Sequence, residues 1–456
     1  MALQARSINP CNGTLIAEYP FEDQGTIESK LVEAEIAFSI WSQMNIAKRG
    51  AALLRLADVL EARQQQLAEL ITREMGKPIT ASRAEVAKCA DLCRHYAKNA
   101  VQMIQDEVID LAGDGTARIA YLPLGIVVGV MPWNFPLWQV LRAAIPILAG
   151  GNCFILKHAD NVQGSALALE SLFVDAAFPS GTFTQLNIDH TALAELIGDP
   201  RIVGATVTAG RAAGSAIASI AGRHLKKTVL ELGGSDPFIV LADADIESAA
   251  KAAVTARFQN CGQVCIAAKR IIVEAQVFEA FCEHFIVATQ SFVQGDPTNP
   301  NTSIGPMARV RLRDEVHAQV EQSIQMGAKL LLGGVIPERP GAWYPPTILT
   351  DIKPDMPVWR EEVFGPVASL VCAADEEEAF KMANDSCFGL SAVLWTNDLV
   401  KARLLSRDIK TGSVFINRFS VSDPRIPIGG IKESGYGREL SHLGIREFCN
   451  IQLLRE

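Results

Sequence analysis

Two stretches of the chain alternate short β-branched runs with helix-patterned segments, and this alternation restricts the fold more than any other feature. Between Gly125 and Leu241 the runs IVVGVM, NCFILK, IVGATVT and KKTVLELG are separated by helical segments such as Val162 to Ala177 and Arg211 to Ala221. From Ser235 to about Glu433 the runs FIVL, RIIVEA, LLLGG, VASLVC, AVLWT and SVFIN repeat the pattern. Apolar runs without polar alternation suit strands covered on both faces, as right-handed βαβ crossovers provide. Two parallel α/β units are therefore expected, meeting near Gly233 and Gly234. A chain of 456 residues is also too long for one ordinary core.

The flanks read differently. From Thr26 to Gly76 apolar residues recur at helical spacing (Leu31, Ala34, then Leu53, Leu56, Leu60, Leu67, Leu70), so the N-terminal third is expected to open as a layer of helices. After Asp106, VIDLAGDGTARIAYLPLG reads as a strand, a turn and a strand that project as a hairpin. The terminal REFCNIQLLRE reads as a strand whose edge needs covering, by another subunit for example.

Several classes are disfavoured. A net charge of -9 argues against nucleic-acid binding. The most apolar stretch, GIVVGVMPWNFPLW, is shorter than the roughly 20 residues of a spanning helix, and the N-terminus lacks a signal-peptide core. The ten cysteines form no C-x-x-C pair and no cluster at zinc spacing. A reducing, cytoplasmic protein without a metal site is expected.

Four sets of residues carry chemistry. Cys265 in FQNCGQVCIAAKR follows a glycine-containing turn, where a substrate can approach a thiol closely; with a free pKa of about 8.5, such a thiol needs electrostatic help to attack. Glu231 ends the run VLE ahead of two glycines, at the mouth of a sheet where burial raises a carboxylate toward the range of a general base. Asn134 in PWNFP precedes a helix start, where an amide can face a developing oxyanion. Lys157 and Asp160 end the next strand, and Glu362 and Phe364 lie in REEVFGPV, placed to hold ribose groups from two sides. Taken singly, each has an ordinary structural use.

Together, P-W-N-F-P, a strand ending in Lys157, E-L-G-G, F-x-N-x-G-Q-x-C, E-E-V-F-G-P and P-I-G-G-I-K-E-S-G-Y-G-R-E resemble the aldehyde dehydrogenase superfamily in order and spacing, over nearly the whole chain. The resemblance implies an α/β fold with three parts. These are a Rossmann-like cofactor domain over 1–104 and 123–233, a catalytic domain over 234–435, and an oligomerisation hairpin with a C-terminal strand over 105–122 and 436–456. It implies Cys265 as nucleophile, Glu231 as general base, and Asn134 with the Cys265 backbone N–H as oxyanion hole. A thiohemiacetal passes hydride to a nicotinamide, and water hydrolyses the resulting thioester. Cofactor contacts are implied for Trp133, Asn134, Lys157, Asp160, Ala209, Gly210, Gly214, Leu232, Gly233, Glu362 and Phe364, in a homodimer or homotetramer.

Two departures bear on the cofactor. Ala209 and Gly210 in ATVTAGRAAG replace the Gly-Ser common at the pyrophosphate helix, so a hydroxyl contact is lost and backbone N–H groups remain. Asp160 stands where NAD-preferring relatives often carry Glu, one methylene shorter. NAD and NADP are both expected, NAD ahead.

The stretch NFPLWQVLR resembles compact bacterial succinate-semialdehyde dehydrogenases, and Arg142 is its informative residue. Eight residues after Asn134 in one helix, its side chain leans back toward the helix start, where a fork of two N–H donors can take a distal carboxylate. Larger enzymes of that type carry a second arginine where this chain has Gln259, and Arg425 in VSDPRIPIGG is the expected substitute. Succinate semialdehyde is then the expected substrate, ahead of another short aldehyde, a non-redox thioester hydrolysis or a scaffold role. Cys261, four residues before Cys265, is read as packing rather than as a redox partner.

Overall fold

A computed structural model describes residues 4–455. Its largest elements are two parallel sheets, each clothed by helices. The six-stranded sheet runs in the order Gly435–Tyr436, Lys227–Glu231, Ile202–Thr208, Ile126–Met131, Cys153–His158, Phe183–Gln185, with only the two-residue Gly435–Tyr436 antiparallel. The seven-stranded sheet runs Lys329–Leu332, Thr347–Thr350, Val367–Ala373, Ala268–Glu274, Asp236–Val240, Ser391–Trp395, Ser413–Ile416, with the Lys329–Leu332 edge antiparallel. The chain leaves the first sheet at Glu231 and enters the second at Asp236. Central strands such as Cys153–His158 and Ala268–Glu274 are buried along their whole length, which is why their sequences lack alternation.

The N-terminal helices Gln24–Trp41, Ile46–Ala62, Gln64–Met75 and Ile79–Met103 join the first sheet in one core through Trp41, Leu53, Leu56, Ile71 and Tyr96. Asp23 caps the first by accepting from the Thr26 N–H, and Gly76, at φ 80°, ends the third in the left-handed conformation. The chain does not open on helices, however. Gln4–Ile8 and Leu15–Pro20 form an antiparallel hairpin before them. The reversal between those strands is held by Asn9, whose backbone carbonyl and Oδ1 both accept N–H groups of the turn, a local device that a search for apolar periodicity overlooks.

Glu107–Asp110 and Thr116–Pro123 pair as a hairpin, and Cys449–Arg455 pairs with the second of these strands to make a three-stranded antiparallel sheet. Ile451 and Leu453 stay about two-thirds exposed on it. Gly435–Tyr436, astride the expected 435/436 boundary, returns to the first sheet against Leu230 and Glu231. Among the described residues, no helix is long and apolar enough to cross a membrane.

Candidate active site

The functional side chains gather where the two parallel sheets face each other. Glu231 is the last residue of its strand, at the carboxyl edge where α/β sheets present their loops. It is 2% exposed and its Oε1 has no hydrogen-bond partner. Burial pushes its carboxyl up to about 8, with Arg142 pulling down and Glu439 pushing up. A carboxyl so placed exchanges its proton near neutral pH, as a general base for water must.

Cys265 is delivered by a strained turn. Asn260, Cys261 and Gly262 take φ values of 51°, 56° and 71°, three successive left-handed residues. Only glycine fits the last, because a Cβ there would lie 2.2 Å from the Gly365 carbonyl oxygen. Side chains hold the turn: Asn260 Nδ2 donates to the Asn134 carbonyl at 2.8 Å, and Gln263 Oε1 accepts from the Ala308 N–H at 2.9 Å. Lys269, which motif reading passed over, donates to the carbonyls of Cys265 (2.7 Å) and Gly234 (2.6 Å) and to Glu362 Oε1 (2.8 Å). The signal for it was faint: Lys269 stands beside Arg270 in AKRIIVE, and only the burial of the whole strand marks its charge as unusual. Burial pushes the Cys265 thiol up to about 11, against the pull of Arg142 and Lys269. At rest it is a thiol, and attack requires its proton to leave.

Asn134 lies in the loop between strand Ile126–Met131 and helix Trp138–Ala149, beside this turn. Its Nδ2 donates to the Gln263 carbonyl at 3.0 Å, which orients the amide and leaves the second N–H available.

Cys265 lines two cavities at once. One, of about 350 Å³, is walled by Trp133, Asn134, Ala209, Gly210, Leu232, Gly233, Glu362 and Phe364, eight of the eleven residues for which nicotinamide cofactor contacts are expected. The fit to such a cofactor rests on three features. Helix Arg211–Arg223 begins at Gly210 with no side-chain cap, so its first N–H groups are free for a pyrophosphate. Gly214 and Gly233 lie so close to Leu232 and Glu362 that a Cβ would come within 2.3 Å and 2.2 Å of them, which keeps both backbones tight. Trp133 and Phe364 meet edge to face with ring centroids 5.7 Å apart. Lys157 Nζ is 2.7 Å from Asp160 Oδ1, but neither of these residues, nor Gly214, is among those lining this cavity.

The second cavity, of about 250 Å³, is walled by Lys88, Trp138, Gln139, Arg142, Ser420 and Ser422 among others. Gln139 lines both cavities, and its buried Oε1 is unpartnered.

Each of the two arginines expected to clamp a carboxylate pairs with a carboxylate of the chain itself. Arg142 reaches this cavity, yet its guanidinium is 2% exposed, its Nε donates to Glu439 in a buried ion pair, and its Nη2 lies 3.3 Å from Thr208 Oγ1. Arg425 is exposed, pairs with Asp423 two residues away through Nε (2.8 Å) and Nη2, and is not among the lining residues. The physical reason is common to both: a guanidinium pairs with the nearest carboxylate, and in a low-dielectric interior it must. Arg142→Leu should therefore strand Glu439 and lower stability by about 3 kcal/mol, read from denaturant unfolding, while Arg142→Leu with Glu439→Leu recovers most of that loss. A single-variant loss below about 1 kcal/mol would show that the pair is not what holds these side chains.

Cys261 is buried, with its thiol pushed up to about 12, and it forms part of the turn itself.

Comparison with known proteins agrees with this geometry. The aldehyde dehydrogenase family model matches residues 2–454. The NAD(P)+ succinate semialdehyde dehydrogenase Sad of Escherichia coli K12 is 49% identical over 451 residues, 99% of this chain and 97% of that protein. The NADP+ succinate-semialdehyde dehydrogenase of Mycolicibacterium paratuberculosis is 46% identical over 447 residues, 97% of this chain and 95% of that protein. Among solved structures, the succinic semialdehyde dehydrogenase of Streptococcus pyogenes in complex with NADP+ superposes with a TM-score of 0.97 at 34% identity, covering 99% of both chains. Gox0499, studied for cofactor and substrate selection, gives 0.98 at 40% identity, covering both chains completely.

Proposed function

Because the chain belongs to the aldehyde dehydrogenase family, we propose that it oxidises succinate semialdehyde to succinate with NAD(P)+, through a covalent intermediate on Cys265. One observation carries this reading: a single thiol stands in the wall between a cavity lined for a nicotinamide cofactor and a small cavity bearing cationic side chains. The second is smaller than a drug-sized site and suits a short aldehyde.

The residues divide the work as follows. Cys265 Sγ gives up its proton to water and attacks the carbonyl carbon, and the forming alkoxide takes hydrogen bonds from the free Asn134 amide N–H and the Cys265 backbone N–H. The cofactor, when bound, supplies the hydride acceptor. Glu231 then removes a proton from the water that attacks the thioester, releasing succinate and the thiol. Burial suits Glu231 to this, since its carboxyl titrates near 8 rather than near 4.5. Gly210, Gly214 and the uncapped helix start would hold the pyrophosphate, Glu362 a ribose, and Trp133, Leu232, Gly233 and Phe364 the nicotinamide end. Lys157 and Asp160 would face the adenosine ribose. Relatives named for NAD(P)+ and for NADP+ support use of both cofactors.

The exposed Ile451 and Leu453 on strand Cys449–Arg455 support a homodimer or homotetramer built on that sheet. Ten unpaired cysteines support a reducing, cytoplasmic setting.

The test is an aldehyde panel with each cofactor, followed by the absorbance of reduced nicotinamide. Succinate semialdehyde is expected to give the highest kcat/KM and butanal, of equal length without the carboxylate, at least about tenfold less. Equal use of the two would remove the semialdehyde assignment. Thioester cleavage without any redox signal would make the chain a hydrolase instead.

A further inference from the structure

Behind the thiol, on strand Ala268–Glu274, Lys269 is a lysine whose side chain is only 1% exposed. Its Nζ spends all three donors inside the site, on the Cys265 carbonyl (2.7 Å), the Gly234 carbonyl (2.6 Å) and Glu362 Oε1 (2.8 Å). One ammonium therefore touches the backbone of the nucleophile, the segment that follows Glu231, and a carboxylate in the wall of the cofactor cavity.

Glu362 is gripped on one side only. Its Oε1 accepts from Lys269 and from the Gly234 N–H at 3.1 Å, while among the described residues its Oε2 accepts no hydrogen bond. A second carboxylate shares the cation. Asp236 is buried, its Oδ1 accepts from the Ser391 N–H and its Oδ2 has no partner; burial pushes it up to about 8, against the pull of Lys269. In a low-dielectric interior such charges act strongly over a few ångströms. The charged groups facing the thiol are Arg142 from helix Trp138–Ala149 and Lys269, which favour the thiolate, and Glu231 and Glu362, which oppose it.

We infer that Lys269 is a positioning residue that joins the nucleophile to the cofactor. By holding the Cys265 carbonyl and Glu362 Oε1 on one nitrogen, it fixes Glu362 for the ribose and lends its positive charge to the thiol. The inference rests on the roles proposed for Cys265 and Glu362 and adds the group that links them. A change of charge at Glu362 is then felt at the thiol, and loss of Lys269 is felt by the cofactor.

Two measurements test this without turnover. The first is the pH profile of Cys265 alkylation by iodoacetamide in the cofactor-free enzyme, followed by the mass of the Cys265 peptide. Lys269→Met removes a pull toward the thiolate and should displace the profile upward by about one pH unit, whereas Glu362→Gln removes an opposing charge and should displace it downward. The second is the Kd for NAD+, from quenching of tryptophan fluorescence. Lys269→Met and Glu362→Gln should each raise it about tenfold, and the double variant should exceed Glu362→Gln by no more than about twofold, because Lys269 reaches the ribose only through Glu362. Additive losses, or an unmoved profile in Lys269→Met, overturn the inference. If Lys269→Met folds poorly, Glu362→Gln is read alone with the lysine in place: a lower profile supports the link, and an unmoved one overturns it. An unchanged Kd in Glu362→Gln removes the ribose role of Glu362 and the inference with it. Neither measurement uses an aldehyde, so these failures leave the semialdehyde assignment standing.

Discussion

Replacing Cys265 by alanine is expected to lower kcat for aldehyde oxidation by about 10⁴-fold or more, the scale on which removal of one member of an acyl-transfer constellation is felt. Without Sγ there is no covalent adduct from which hydride can leave. The fold should survive. The thiol makes none of the hydrogen bonds that hold its turn, which come from Asn260, Gln263 and Lys269 to backbone groups. Initial rates of nicotinamide reduction together with a thermal unfolding curve check both halves. A variant that folds normally and retains more than about a hundredth of the activity would remove Cys265 from the chemistry.

Glu231→Gln should produce a different failure. The amide preserves shape but takes no proton, so hydrolysis of the thioester slows by up to about 10⁴-fold while the first hydride transfer still occurs. Rapid mixing should then show a burst of up to one reduced nicotinamide per active site, followed by a slow steady rate. The pH dependence carries the sign. With burial pushing the carboxyl up to about 8, the base is mostly protonated below that pH and mostly ionised above it. Wild-type kcat should therefore rise as pH passes through about 8, and Glu231→Gln should lack that limb. Retention of both the steady rate and the limb would assign the base to another group.

The three residues of the proposed mechanism could be singled out in the sequence because each sits at the end of a locally encoded segment. Glu231 closes VLE, Asn134 follows IVVGVM, and Cys265 follows a turn marked by Gly262. Local periodicity reports strands, strand ends are where α/β sheets carry their loops, and the candidates follow. Lys269 was passed over although it braces the thiol's own carbonyl, because a lysine beside an arginine in AKR looks solvated until the strand is known to be buried. The hairpin Gln4–Pro20 escaped because its turn is held by polar contacts of Asn9, and these leave no apolar period.

Arg142 separates the two levels most clearly. From the sequence it is a helical arginine eight residues from Asn134, and its distance from the aldehyde site could be reasoned from helix geometry alone. Its partner could not: Glu439 is 297 residues away along the chain and reaches it only because Gly435–Tyr436 folds back onto Glu231 and Leu230. The sequence by itself determined the α/β plan and singled out Cys265, Glu231 and Asn134 as the candidates for nucleophile, base and oxyanion donor. Only the tertiary structure decided how the cations are paired, joining Arg142 to Glu439 and Arg425 to Asp423. The reason is physical: residue type and spacing specify where a charge can be, but desolvation obliges a buried charge to find a partner, and that partner comes from whatever segment the fold brings near.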